Sequence, residues 1–214
     1  WSNSGSSATL TALAAGSYDV TVTDNNNCTA TSSFTISQPD SISLAISSNN
    51  ASCNGGNEGQ AFVIASGGVS NYSYLWSSGG ASASESGLSA GTYTVTVKDD
   101  NNCSASKSAS ISEPDAIMIS PSSIDATCGS ANGSGSVTAS GGTGNLTYLW
   151  NTGAASATLS GLAAGTYSVS VTDDNNCTKT SNVIVNNING PSVSVASSND
   201  VSCNGGNNGD AKVT

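Results

Sequence analysis

The sequence predicts an all-β fold of tandem immunoglobulin-like β-sandwiches, the architecture shared with PKD and fibronectin-III domains, at about 75 residues per unit. Three observations predict it. The chain repeats itself: Trp1, Trp76 and Trp150 stand 75 and 74 residues apart. Short apolar runs alternate with period two, the spacing of a strand with one buried face. The runs are separated by Gly, Asn, Asp and Ser clusters, which are turn chemistry.

The repeat sets the domain organisation. Cys28, Cys103 and Cys177 form one series, and Cys53, Cys128 and Cys203 a second with the same period. Leu-Ala-Ala-Gly-Ser-Tyr (13–18), Leu-Ser-Ala-Gly-Thr-Tyr (88–93) and Leu-Ala-Ala-Gly-Thr-Tyr (162–167) are one motif in three copies. Pro39-Asp40, Pro114-Asp115 and Asn189-Gly190-Pro191 are the signals that stop a last strand. The expected domains are therefore 1–39, the C-terminal part of a repeat; 40–114 and 115–189, two complete repeats; and 190–214, the N-terminal part of a further repeat. Such a phase is expected for a stretch of one long continuous array. A filament subunit completed by strand addition from its neighbours is the rival reading.

Within 40–114 the elements follow in order. Ile42, Leu44 and Ile46 alternate in a first strand, and Ala61, Val63 and Ala65 in a second. Tyr72, Tyr74 and Trp76 share one face of a third, and a shorter segment ends at Leu88. Tyr93, Val95 and Val97 line the next strand, Ala109 and Ile111 the last. Phe62 and Ile64 become Ser136 and Thr138 in the following copy, as solvent-facing positions can. Six or seven short strands with Gly-rich turns make a sandwich, and Tyr18, Tyr93 and Tyr167 stand where a tyrosine corner would.

So small a sandwich buries only about 60% of its unfolded surface, and the cysteines are expected to reinforce it. In an up-and-down strand count the first and last hairpin loops share an end, which pairs Cys53 with Cys103 and Cys128 with Cys177. A loop of that size would contribute roughly 4 kcal/mol on the chain-entropy model. The rival pairing, Cys28–Cys53 and Cys103–Cys128, must span a strand length of roughly 30 Å. Paired cysteines imply an oxidising, extracellular compartment.

Several motifs in order, Cys-Asn-Gly-Gly-Asn-x-Gly (53–59 and 203–209), Ser-Gly-Gly followed by Tyr-x-Tyr-x-Trp (66–76), Ala-Gly-Thr-Tyr-x-Val-x-Val-x-Asp (90–99) and Asp-Asn-Asn-Cys, resemble the SprB repeat. The copy at Cys128-Gly-Ser departs from the Asn-Gly-Gly pattern. The resemblance spans essentially the whole chain. It implies long secreted arrays on the surface of Bacteroidota, among them a gliding-motility adhesin.

Composition excludes other functions. The 14 acidic residues face four lysines, with no arginine and no histidine, for a net charge of −10. Nucleic-acid binding lacks its phosphate-neutralising cations, and histidine-based catalysis has no histidine. No run approaches the roughly 20 apolar residues of a membrane span, so no membrane insertion is expected of this segment. No catalytic or cofactor constellation stands out, and the chain is expected not to be an enzyme.

The one metal candidate is a weak Ca²⁺ site at Asp99, Asp100 and Glu58, where oxygen ligands cluster. An Asx turn is the favoured reading of the same residues. The acidic junction at Glu113-Pro114-Asp115 is a lesser candidate of the same kind.

The function expected is a structural and adhesive array, the stalk or filament of a large bacterial surface adhesin. Its partners are neighbouring repeats of the same chain and a surface polysaccharide or substratum. A glycan-binding array and a non-catalytic spacer of a secreted multidomain protein are the alternatives.

Overall fold

The computed structural model describes residues 1–214. They form strands and loops throughout, in two compact units. Unit 1 comprises Trp1–Asn50 and Asn57–Ser112; unit 2 comprises Ala51–Gly56 and Glu113–Thr214.

Unit 1 begins with a hairpin of β1 (Gly16–Thr23) and β2 (Thr29–Ile36). A two-sheet sandwich follows. One sheet orders β3 (Ser43–Asn49), β4 (Gly59–Ser66) and β6 (Ser84–Leu88); the other orders β5 (Ser73–Trp76), β7 (Gly91–Lys98) and β8 (Ser104–Ile111). All pairings in these sheets are antiparallel. The alternating positions meet between the sheets, where Leu44, Ala61, Val63, Trp76, Leu88, Val95, Val97, Ala109 and Ile111 form the core. Phe62 and Ile64 point the other way and are 38% and 73% exposed.

The tryptophan fills the centre because its one polar atom has a partner. Trp76 is almost fully buried, and its Nε1 donates to the Ser82 carbonyl at 2.9 Å. Trp150 repeats the bond to Ser156 at 2.7 Å, and Trp1 to Ser7 at 2.7 Å. Gly59 is required by close approach. A Cβ there would lie 2.5 Å from the Leu88 carbonyl oxygen and 2.6 Å from Ile111 Cγ2. The strand register also shifts at this residue, which marks a bulge.

Unit 2 repeats the sandwich. The first sheet orders β13, β11 and β9, the second β12, β14 and β15. These are β9 (Met118–Ile124), β11 (Gly133–Ser140), β12 (Thr147–Trp150), β13 (Thr158–Leu162), β14 (Gly165–Thr172) and β15 (Thr178–Val185). Its core runs from Ile117 through Val137, Trp150, Val169 and Val171 to Val185. Pro121 sits in β9, an edge strand, where a missing N–H is tolerated. Two short strands, β10 (Ala126–Thr127) and β16 (Asn187–Ile188), pair in parallel. A last hairpin joins β17 (Val195–Asn199) to β18 (Asp210–Val213).

The parallel pair fixes the direction of the first and last strands of the unit 2 sandwich, and a side-chain bond does so in unit 1. The end of the first strand lies against the end of the last. In unit 2 the Cys128 amide donates to the Ile188 carbonyl, beyond β15. In unit 1 the Ser112 amide, just past β8, donates to Asn50 Oδ1, just past β3. The loop after the first strand therefore sits at the far end of the last strand from the cysteine that begins it. No helix is long and apolar enough to cross a membrane.

Candidate functional site: a cysteine loop seated on an aspartate turn

The motif Asp-x-Asn-Asn-Cys builds a tight turn ahead of each last strand. Asp99 Oδ1 accepts the amides of Asn101 at 3.0 Å and Cys103 at 2.8 Å. Its Oδ2 accepts the Val69 amide at 3.0 Å, from the loop after β4. Asp173 makes the same three bonds to Asn175, Cys177 and Thr143, at 2.9, 2.9 and 2.8 Å. Asp24 bonds Asn26 and Cys28 in the same way. The second asparagine takes the left-handed conformation in every copy, at φ of 64°, 61° and 63° for Asn27, Asn102 and Asn176. Asparagine tolerates that region better than most residues. The sequence of the motif is thus a turn recipe: an acceptor first, a left-handed residue fourth, and a cysteine fifth.

Asp99 and Asp173 are the two buried charged side chains. The amide of Val69, joined by those of Cys103 and Asn101, holds the Asp99 carboxyl below the ordinary value of 3.8 against the opposing effect of burial. At Asp173 burial pushes upward, but the amides of Thr143, Cys177 and Asn175 together outweigh it and the pKa is again lowered. Gly68 (φ +63°) makes room for this carboxylate: a Cβ there would stand 2.7 Å from Asp99 Oδ2.

These bonds are those of an Asx turn, the favoured reading of the residues that also made the weak calcium candidate. Both oxygens of Asp99 are committed to backbone amides, and Asp100 Oδ2 accepts Asn71 Nδ2 at 2.8 Å. Glu58 is exposed ahead of β4. Asp99, Asp100 and Glu58 do not come together as a metal-holding group. The tyrosines are anchored at the opposite end of the same strands. Tyr18, Tyr93 and Tyr167 donate to the carbonyls of Ala14, Ser89 and Ala163, four residues upstream, at 2.9, 3.1 and 3.0 Å.

The cysteine pairing differs from the expected one. Cys53 is bonded to Cys177, 124 residues away, with Cα atoms 5.6 Å apart. Cys28, Cys103, Cys128 and Cys203 are free and exposed. The expected pairs Cys53–Cys103 and Cys128–Cys177 fail on strand direction. Their members sit at opposite ends of an eight-residue last strand, β8 or β15, roughly 26 Å at about 3.3 Å per residue. A disulfide needs Cα atoms within about 7 Å.

The loop Ala51–Gly56 belongs instead to unit 2, where hydrogen bonds seat it around the disulfide. Asn175 Nδ2 donates to the Ser52 carbonyl at 3.0 Å. Asn54 Nδ2 donates to Glu113 Oε1 at 3.0 Å and to the Pro114 carbonyl at 3.1 Å. The Gly55 amide donates to Glu113 Oε2 at 2.7 Å. Gly55 holds φ +71°, and the Gly56 amide closes the loop on the Cys53 carbonyl at 3.0 Å. Closing so long a segment contributes about 5 kcal/mol on the chain-entropy model. Sequence reasoning missed the roles of Asn54, Glu113 and Asn175. The signal was present: Asn-Gly-Gly directly after Cys53, and an acid at the junction.

The fold and this site define a class: tandem immunoglobulin-like β-sandwich repeats stabilised by a disulfide and by buried Asx turns. Within that class, two segments of the chain are similar to the SprB repeat. The SprB repeat family model matches residues 45–81 and 121–155, from β3 to past β5 and from β9 to past β12. No curated protein matches the chain.

Among solved structures, the chain is similar to the N-terminal eight Ig domains of Down syndrome cell adhesion molecule isoform 1.30.30. The identity is 14% and the TM-score 0.43, covering 81% of this chain and 27% of that one. It is also similar to Sidekick-1 immunoglobulin domains 1–5, at 11% identity and a TM-score of 0.29, covering 82% and 46%. The chain spans less than half the length of either.

Proposed function

We propose that the chain is part of an extracellular structural and adhesive array, the stalk of a large bacterial surface protein. In this reading 40–114 and 115–189 are successive repeats, and the observation that carries it is the Cys53–Cys177 disulfide. It fastens the first-hairpin loop of one repeat to the turn before the last strand of the next. A covalent fastening of this kind suits a protein that transmits tension. A disulfide also favours an oxidising location.

The surface supports the same reading. It is rich in uncharged Ser, Thr and Asn, and the net charge of −10 opposes self-association. Adhesion to a polysaccharide or other substratum would then come from weak contacts multiplied over many repeats. The large aromatics Trp76 and Trp150 are buried in the cores and so are not open to stacking on sugars.

Antibodies raised against this chain test the reading on intact cells that produce it. Labelling of unbroken cells, and loss of cell or bead attachment when the antibodies are added, is the expected result. Labelling only after lysis would overturn the location. Surface labelling with unchanged attachment would remove adhesion and leave a spacer.

A further inference from the structure

Asn54 and Gly55 carry the two groups of an intramolecular reaction. The Gly55 nitrogen can attack the side-chain carbonyl carbon of Asn54 and close a five-membered ring, and glycine has no side chain to obstruct it. The chain holds five Asn-Gly pairs, led by Asn54, Asn132, Asn189, Asn204 and Asn208. At Asn54 one carboxylate holds both reacting groups. Glu113 Oε2 accepts the Gly55 amide, the attacking nitrogen, at 2.7 Å. Glu113 Oε1 accepts Asn54 Nδ2, the leaving nitrogen, at 3.0 Å, and the Pro114 carbonyl accepts the same atom at 3.1 Å. All of these residues belong to unit 2.

The arrangement opposes each stage of ring closure. The Gly55 nitrogen must turn onto the side-chain carbon, which breaks its bond to Glu113. It must also lose its proton, and a carboxylate at hydrogen-bond distance disfavours the anion left behind. The leaving amide is held in turn by Glu113 and Pro114. Asn54 is exposed to water, so hydrogen bonds rather than burial protect it. The Cys53–Cys177 bond anchors the residue before it and keeps the loop against Glu113.

We propose that Asn54 is a site of spontaneous deamidation that Glu113 and the disulfide keep closed, and that opens when the bond is reduced and the loop leaves its seat. In the released loop the Gly55 nitrogen gives up its proton and bonds to Asn54 Cγ. The Cγ–Nδ2 bond breaks, and the amide takes up the proton and departs as ammonia. Water then opens the ring at either carbonyl and leaves aspartate or isoaspartate, so one water is consumed for each ammonia released. Both products carry a carboxylate in place of the donor amide. It would face the Glu113 carboxylate and the Pro114 carbonyl, all of them acceptors, and like charges sharing a site repel. The modified loop therefore does not reseat, and a reversible reduction becomes a permanent release. The proposal is independent of the adhesive reading.

The test incubates the full chain at neutral pH, either oxidised or held in reductant, and follows conversion of Asn54 by peptide mapping. The linear peptide Ser-Cys-Asn-Gly-Gly supplies the unprotected rate. Conversion in the oxidised chain should be slower than in the peptide by roughly tenfold or more, which is about 1.4 kcal/mol on the barrier. The reduced chain, and the double variant Cys53→Ser, Cys177→Ser, should approach the peptide. Glu113→Gln keeps an acceptor but loses the charge, and should raise the rate severalfold in the oxidised chain. The Cys53–Cys177 peptide in the same digest reports that the loop is still fastened. On reoxidation with glutathione, Asn54→Asp should regain the Cys53–Cys177 bond in severalfold lower yield than the unmodified chain, with strand content by circular dichroism unchanged. An oxidised chain that converts as fast as the peptide, a reduced chain as slow as the oxidised one, an unchanged rate in Glu113→Gln, or full recovery of the bond in Asn54→Asp would each overturn the proposal.

Discussion

If the chain is pulled by its two ends, the Cys53–Cys177 bond determines how far it can extend. Tension entering at Trp1 runs through β3 to Cys53, crosses the bond, and leaves through β15 to Thr214. The 124 residues of separation lie outside that path. Fully extended they would add about 410–450 Å, at roughly 3.3–3.6 Å per residue. With the bond intact they contribute only the 5.6 Å between the two Cα atoms.

Strands β4 to β8 and β9 to β14 are thus shielded, and only β3 and β15 can be peeled from their sandwiches by force. Single-molecule stretching between terminal handles measures the difference directly. The chain in oxidising buffer should reach a contour length about 410–450 Å shorter than in reductant. The double variant Cys53→Ser, Cys177→Ser should match the reduced trace in either buffer. Equal contour lengths with and without reductant would refute the reasoning, because the bond would not then lie across the load path.

Three further outcomes are expected. Trp150→Ala should destabilise unit 2 by about 3–5 kcal/mol, since it empties the centre of the core and removes the bond to Ser156; denaturant titration with a loss below about 1 kcal/mol would contradict this packing. Tyr93→Phe should cost about 0.5–1.5 kcal/mol through the bond to Ser89 alone, with the strand content by circular dichroism unchanged. The lowered pKa values of Asp99 and Asp173 mean that the native state prefers the ionised carboxylates. Their contribution is complete above the ordinary value of 3.8 and is lost as pH falls below it. Denaturation midpoints from pH 6 to pH 2 should therefore decline at the acid end, less steeply for Asp99→Asn; an unchanged slope in that variant would count against the turn.

The sandwich was legible because its signal is local and repeated. Leu44, Val63, Trp76, Val95 and Ile111 stand on alternating positions, and burial follows the alternation. The copies then separate core from surface without any other sequence, as Phe62 and Ile64 against Ser136 and Thr138 do. The turn was legible too, because an aspartate, a left-handed asparagine and a cysteine at fixed offsets leave few ways to satisfy the amides.

The disulfide was not legible. Both cysteine series recur from copy to copy, so Cys53 faces a candidate partner at 50 residues, Cys103, and another at 124, Cys177. The choice between them rests on whether the first and last strands run parallel or antiparallel. That is a property of the sandwich as a whole, shown by the pairing of Ala126 with Asn187. Glu113 was hidden for the same reason: its partners Asn54 and Gly55 lie almost sixty residues away.

The closed segment also alters what a single break in the backbone does. A protease that cuts once anywhere between Cys53 and Cys177 opens a ring and leaves both fragments attached through sulfur. Severing the chain there takes a second event, reduction of the bond. The exposed loops after β5, β7 and β12 thus become sites where a single cut is absorbed without loss of what lies beyond them.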